Sequence, residues 1–192
     1  MLTELCLVNS VRMFIFTAPK NEALLKLNDQ IKDLYGGIVR VRVCGICIVN
    51  DKILLINHSL YGKDGFFWSP PGGGIGFGET AEIALNREFR EETGLEVKIG
   101  RLLFVNEHIQ APLHAVELFF EIDSFEGMPE KGSDPELPAE SQIIADVRFM
   151  SWDELSKFQD YQRHSLFTHV HSLHEILQLE KYISGVAGSI EY

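Results

Sequence analysis

The sequence predicts an α/β sandwich built as one domain. Three observations carry that reading. Strand-like runs come in pairs joined by turns, one amphipathic helix sits among them, and 192 residues, 45% of them hydrophobic, can bury a sizeable core. Residues 38–160 hold these elements and are expected to form the domain. Residues 1–37 read as an N-terminal extension packed on it, and residues 161–192 as a C-terminal helical tail.

In the extension, residues 11–16 are strand-like, Pro19 and Asn21 punctuate the chain, and Leu24, Leu27, Ile31 and Leu34 recur at helical spacing until Gly36-Gly37. Val39, Val41 and Val43 then alternate with Arg40 and Arg42, as a half-buried strand should, and Asn50-Asp51 turns the chain into a returning strand over 52–57. Residues 61–78 are rich in glycine and proline and are expected to be irregular. Residues 80–93 read as a helix, with Thr80 as N-cap, Glu82 in the first turn and Gly94 as the stop. Strands are expected over 95–106 and 114–122, then a loop over 124–141 with Pro129, Pro135 and Pro138. A strand over 144–150 leads to a helix at Ser151, where Ser151 and Glu154 fit a capping box. Residues 164–183 look helical.

Composition narrows the function. Seventeen basic against 28 acidic residues give a net charge of −11, which disfavours extended nucleic-acid binding and means that an anionic substrate is best met through cations. The three cysteines make no disulfide framework. Cys44 and Cys47 form a C-x-x-C inside an apolar strand-like run, where residues three apart point to opposite faces, so they read as core residues rather than a metal or redox pair. Charged residues interrupt the apolar start, and no apolar run approaches the roughly 20 residues that span a bilayer. A cytoplasmic protein without a membrane partner is expected, and a homodimer is compatible with the sequence.

The chemistry is concentrated in residues 70–95. Glu88, Glu91 and Glu92 stand at i, i+3 and i+4, on one face of the helix. Three like charges this close cost stability unless something neutralises them, and a hard divalent cation would turn repulsion into coordination. Ala81, Ala84, Leu85 and Phe89 form an apolar stripe beside them, so the glutamates border the core on a rigid element. The preceding glycines let backbone approach a ligand closely. Arg87 is placed to pair with Glu79, locking loop to helix, or to touch phosphate. The bland alternative is a solvated acidic helix after a flexible loop.

Gly73, Glu79, Arg87-Glu88-Phe89, Glu91-Glu92 and Gly94-Leu95, at their spacing in this chain, resemble a complete Nudix box. The wider resemblance runs over residues 39–155 and takes in Trp68 ahead of Pro70-Pro71-Gly72-Gly73 and a late Ser-Trp-Asp-Glu-Leu. It implies a Nudix-type α/β/α sandwich with a mixed sheet, and a hydrolase that cleaves a diphosphate linkage in a nucleoside diphosphate derivative. It implies Mg2+ as cofactor, with Mn2+ as a substitute, held by Glu88, Glu91, Glu92 and the Gly72 carbonyl. Gly73, Glu79 and Gly94 would have structural roles. Glu88 within the box, or Glu140 from the loop with Glu136 behind it, would be the general base, and Arg87 a further catalytic residue. A non-catalytic, nucleotide-sensing module of the same fold is the alternative, although no box glutamate is missing.

Other residues carry weaker signals. Lys63 reads as a turn lysine or a phosphate contact, and Phe66, Phe67 and Trp68 as core packing or a base-stacking surface. His164, His169, His171 and His174 do not share one helical face and read as surface or packing residues.

Overall fold

A computed structural model describes residues 36–59, 64–110, 113–132, 142–179 and 181–186. The expected N-terminal strand and helix, together with Lys63, Glu136 and Glu140, lie outside the described residues.

Two sheets form the centre of the molecule. The first is mixed and has the order β5-β1-β7-β6-β9. It comprises β1 (Val39–Ile46), β5 (Gly72–Gly74), β6 (Glu96–Gln110), β7 (Leu113–Glu126) and β9 (Tyr182–Val186). β1 runs parallel to β7 and β9 parallel to β6, while the other pairings are antiparallel. The second sheet is built around β3 (Lys52–Ser59), which pairs antiparallel with β2 (Ile48–Val49), β4 (Phe66–Ser69) and β8 (Ile144–Ser151). Asn50 and Asp51 both adopt positive φ, 50° and 56°, the turn that matches the twist of a two-residue hairpin.

Alternation along the strands divides the core in two. Val43, Cys47 and Leu54 face α1 (Ala81–Thr93), where they meet Ala84, Leu85, Phe89 and Leu95. Cys44, Ile53 and Leu55 face the opposite way and pack with Phe104, Phe119, Leu166, Phe167, Leu173 and Ile176. The layers are therefore helix, sheets, and a C-terminal layer: the α/β/α sandwich. Cys44 and Cys47 fall in different halves and are unbonded, as strand alternation requires.

α1 has the expected ends. Thr80 accepts the Ile83 N–H, and Gly94 closes the helix at φ 70° with its N–H on the Arg90 carbonyl. The capping box at Ser151 and Glu154 opens α2 (Trp152–Leu155).

Two expectations are corrected. The glycine- and proline-rich stretch contains two short strands, β4 and β5. Gly73 pairs with Val43 in register, so glycine here is compatible with a ladder because a second backbone takes the place of a side chain. The tail does not form a helix over 164–183. It makes 3-10 turns at Asp160–Gln162 and Ser165–Thr168, one turn of helix α3 (Leu173–Ile176), and then β9. Its apolar residues have near-helical spacing, but the His164 and Ser172 side chains bond nearby backbone N–H groups and break the run into caps.

Replacing Gly94 with Ala forces a Cβ into the left-handed region. It should lower stability by about 1–2 kcal/mol without altering the site's residues. Chemical denaturation of the two proteins checks this, and equal midpoints would contradict the cap assignment.

Candidate active site

The site forms where β5, the loop after it and α1 meet. Glycine makes this junction close: a Cβ on Gly73 would lie 2.1 Å from Glu88 Oε1, so only glycine lets the Glu88 carboxyl lie against the strand. The loop is tied down by Glu79, whose carboxylate accepts the Gly76 N–H at 2.8 Å and binds Arg87 Nε at 3.0 Å and Nη2 at 3.1 Å. That bidentate pairing holds the Glu79 carboxyl below its ordinary range, with the Gly76 N–H adding to it.

Arg87 is the hub. Beyond Glu79 it donates to the Gly74 carbonyl at 3.0 Å, Glu88 Oε1 at 2.8 Å and Glu91 Oε2 at 3.1 Å. Of the two roles open to it in the sequence, locking loop to helix is the one the geometry supports. Glu88 is mostly buried. Burial pushes its carboxyl upward, and the Arg87 bonds and the nearby Arg42 charge oppose that push. Glu92 is 7% exposed and turns the other way, accepting the Gly72 N–H at 2.8 Å. The Gly72 carbonyl accepts from Arg42 Nη2 at 3.3 Å.

Glu88, Glu91 and Glu92 thus border one corner, as their spacing implied, and Glu92 meets the Gly72 backbone that the resemblance adds to them. Their oxygens do not point at one centre: two carboxylates are drawn to Arg87 and the third to backbone. Among the described residues no three Asp, Glu, His or Cys side chains converge to hold an ion. The donors are nonetheless all hard oxygens, and Arg87 occupies the electrostatic position of a cation, so the residues fit a magnesium-type ion in chemistry.

Sequence reasoning missed a polar group on the adjoining sheet face. Arg42 on β1 lies opposite Glu117 on β7, with Nε 3.6 Å from Oε1. Asn106 on β6 and His164 at the chain's last layer also bond Glu117. One signal was present: Glu117 sits between Ala115 and Phe119 on the inward positions of an alternating strand, where an acid is out of place. His58 on β3 is half-buried and bonded to Ser69 Oγ at 3.1 Å. Phe66 and Trp68 pack against Phe158, with ring centroids 5.9 Å apart in each case.

The comparisons with known proteins agree with one another. The family model of the NUDIX domain matches residues 39–170. The ADP-ribose pyrophosphatase of Methanocaldococcus jannaschii is 34% identical over 125 residues, covering 64% of this chain and 73% of that protein. The RNA pyrophosphohydrolase of Haemophilus influenzae is 42% identical over 64 residues, about a third of each chain at 33% and 32%. In fold, a NUDIX hydrolase from Nitrosomonas europaea superposes with a TM-score of 0.58 at 23% identity, covering 76% of this chain and 93% of that one. Among the described residues, no helix is long and apolar enough to cross a membrane.

Two predictions follow from burial here. Glu92→Ala leaves the buried Gly72 N–H without its acceptor and should cost about 1–3 kcal/mol, whereas Glu91→Ala, at the open side of the cluster, should cost less than half as much. Thermal melts of the two variants decide it, and equal losses would refute the distinction. His58 gives the second. Burial, aided by the Arg42 charge, lowers its pKa to about 4, so the folded protein keeps it neutral while the unfolded chain protonates it near 6.5. Its contribution is therefore intact above pH 6.5 and lost as pH falls towards 4, by up to about 3 kcal/mol. His58→Asn should flatten the stability profile across that window; an unchanged slope would show that the ring is solvated.

Proposed function

The chain belongs to the Nudix hydrolase family, and on that footing we propose that it hydrolyses the diphosphate linkage of a nucleoside diphosphate derivative with the help of magnesium. The observation that carries the reading is the Arg87-centred cluster, in which Glu79, Glu88 and Glu91 share one guanidinium directly over the Gly72–Gly74 strand. A solvated acidic helix would not have its carboxylates tied to a loop in this way.

Glu88, Glu91, Glu92 and the Gly72 carbonyl would hold the ion. When bound, magnesium, or manganese in its place, supplies charge against the diphosphate and acidifies a water. This chain's residues do the rest. Glu79 and Gly73 keep the strand and helix at a fixed separation, and Arg87 keeps the carboxylates together, as a positioning residue. Glu88, or Glu140 from the loop, takes the proton of a water as its oxygen attacks phosphorus. The bridging P–O bond breaks and a phosphate monoester leaves. ADP-ribose is the first substrate to try, because the Methanocaldococcus jannaschii relative is named for it. RNA 5′-pyrophosphate is second, because the Haemophilus influenzae relative, matched over a shorter stretch, is named for RNA pyrophosphate hydrolysis.

Product release from ADP-ribose and from a panel of other diphosphates, with magnesium and with chelator, tests the proposal. Magnesium-dependent cleavage of at least one is expected, and Glu91→Gln should lower its turnover by about two to four orders of magnitude. Nucleotide binding without cleavage across the panel would favour the sensing module instead.

A further inference from the structure

A buried carboxylate that the box does not contain organises the sheet beside the site. Glu117 is 6% exposed, and a charge so placed is costly unless all its lone pairs are used. Here Oε2 accepts from Asn106 Nδ2 at 2.8 Å and from His164 Nε2 at 3.0 Å, and Oε1 faces Arg42 Nε at 3.6 Å. The tautomer of His164 is set from its far side. Its Nδ1 accepts the Leu166 N–H at 3.1 Å, so the ring proton sits on Nε2 and points at Glu117. Burial works against the charge on Glu117, yet His164, Arg42 and Asn106 together hold its carboxyl down at about 2, leaving a fixed anion in the interior.

The anion holds a guanidinium. Arg42 reaches from Glu117 to the Gly72 carbonyl, and the N–H of that same Gly72 is bonded to Glu92. The arginine thus ends beside the box carboxylates, and its charge acts on Glu88 and Glu92. Its side chain keeps 29% of its surface open to solvent. As a stabilising device the arrangement is poor, because desolvating a carboxylate and a guanidinium costs about as much as their attraction returns. As a way to fix a planar, bidentate phosphate-binding group at one place, it is effective.

We propose that Arg42 binds a phosphate of the substrate next to the box carboxylates, and that Glu117, itself fixed by His164 and Asn106, is a positioning residue that holds the guanidinium there. The proposal rests on the diphosphate-hydrolase reading, and its test separates the two. Inorganic pyrophosphate carries the diphosphate group without a nucleoside, so its binding to the full chain in magnesium, measured by calorimetry, reads phosphate recognition independently of substrate choice.

Arg42→Met should weaken pyrophosphate binding roughly 10- to 100-fold, and Arg42→Lys by less, because the charge remains and the fork is lost. Glu117→Gln, which keeps the side chain's shape, should weaken it several-fold, and that effect should vanish in the Arg42→Met background because Glu117 acts through Arg42. If Glu117→Gln melts at a markedly lower temperature, His164→Gln replaces it, with a smaller loss expected and the same dependence on Arg42. Pyrophosphate affinity that is equal in wild type and Arg42→Met, or absent from both, overturns the proposal. Additive effects of Glu117→Gln and Arg42→Met overturn the positioning role. Loss of pyrophosphate binding in Arg42→Met, in a protein that cleaves no diphosphate, would uphold the phosphate site and defeat the hydrolase reading.

Discussion

One guanidinium carries the acidic corner of this molecule. Glu79, Glu88 and Glu91 all approach Arg87, which also takes the Gly74 carbonyl. Without it, carboxylates on adjacent turns of α1 and the loop before it would repel across a few ångströms, and the Gly72–Glu92 hydrogen bond and packing would be left to hold the helix to the glycine strand. The fork of Arg87 satisfies Glu79 in a bidentate pair, which is why the loop is anchored at its far end as well as at the strand. Close approach of Glu88 to Gly73 then follows from the same constraint, since the carboxyl must lie where Arg87 can reach it.

A second ion pair completes the floor from the sheet side. Arg42 and Glu117 face each other across neighbouring parallel strands, an arrangement set by the pairing register and by nothing local in sequence. The two arginines meet the same short segment: Arg87 binds the Gly74 carbonyl and Arg42 the Gly72 carbonyl. The β5 strand is therefore gripped from the helix and from the sheet at alternate residues, and this explains how three consecutive glycines hold a defined ladder despite their conformational freedom.

What could be read from the sequence follows from the range of the interactions involved. The cap at Thr80, the stop at Gly94, the carboxylate face of α1 and the Glu79–Arg87 lock all act within about four turns of chain, so spacing alone reveals them. The same is true of the opposite facing of Cys44 and Cys47. The strands β4 and β5 were hidden because their partners, β3 and β1, provide the order that their own composition lacks. In the tail, periodicity of the apolar residues was real, but it came from successive short turns pressed on one core rather than from a helix. The Glu117 group draws on β1, β6, β7 and a 3-10 turn 47 residues further along, and no local pattern links these. Only the inward position of an acid in β7 hinted at it.

The internal pairing of the box also bears on how tightly it could take up an ion. Carboxylates waiting in water would give up only their hydration on binding a cation. Here Glu88 and Glu91 would in addition leave Arg87, and Glu92 would have to share an oxygen set already used by the Gly72 N–H. The affinity would then be a difference between coordination and charge-assisted bonds that are themselves strong, and smaller than the count of glutamates suggests. A diphosphate arriving with the ion would change that balance, because it would bring negative charge to the edge of Arg87 that the carboxylates had left. In such a site ion and substrate would favour one another's binding, and by linkage each would raise the other's affinity by the same factor. An acidic protein would in this way accept a highly charged anion beside its own carboxylates.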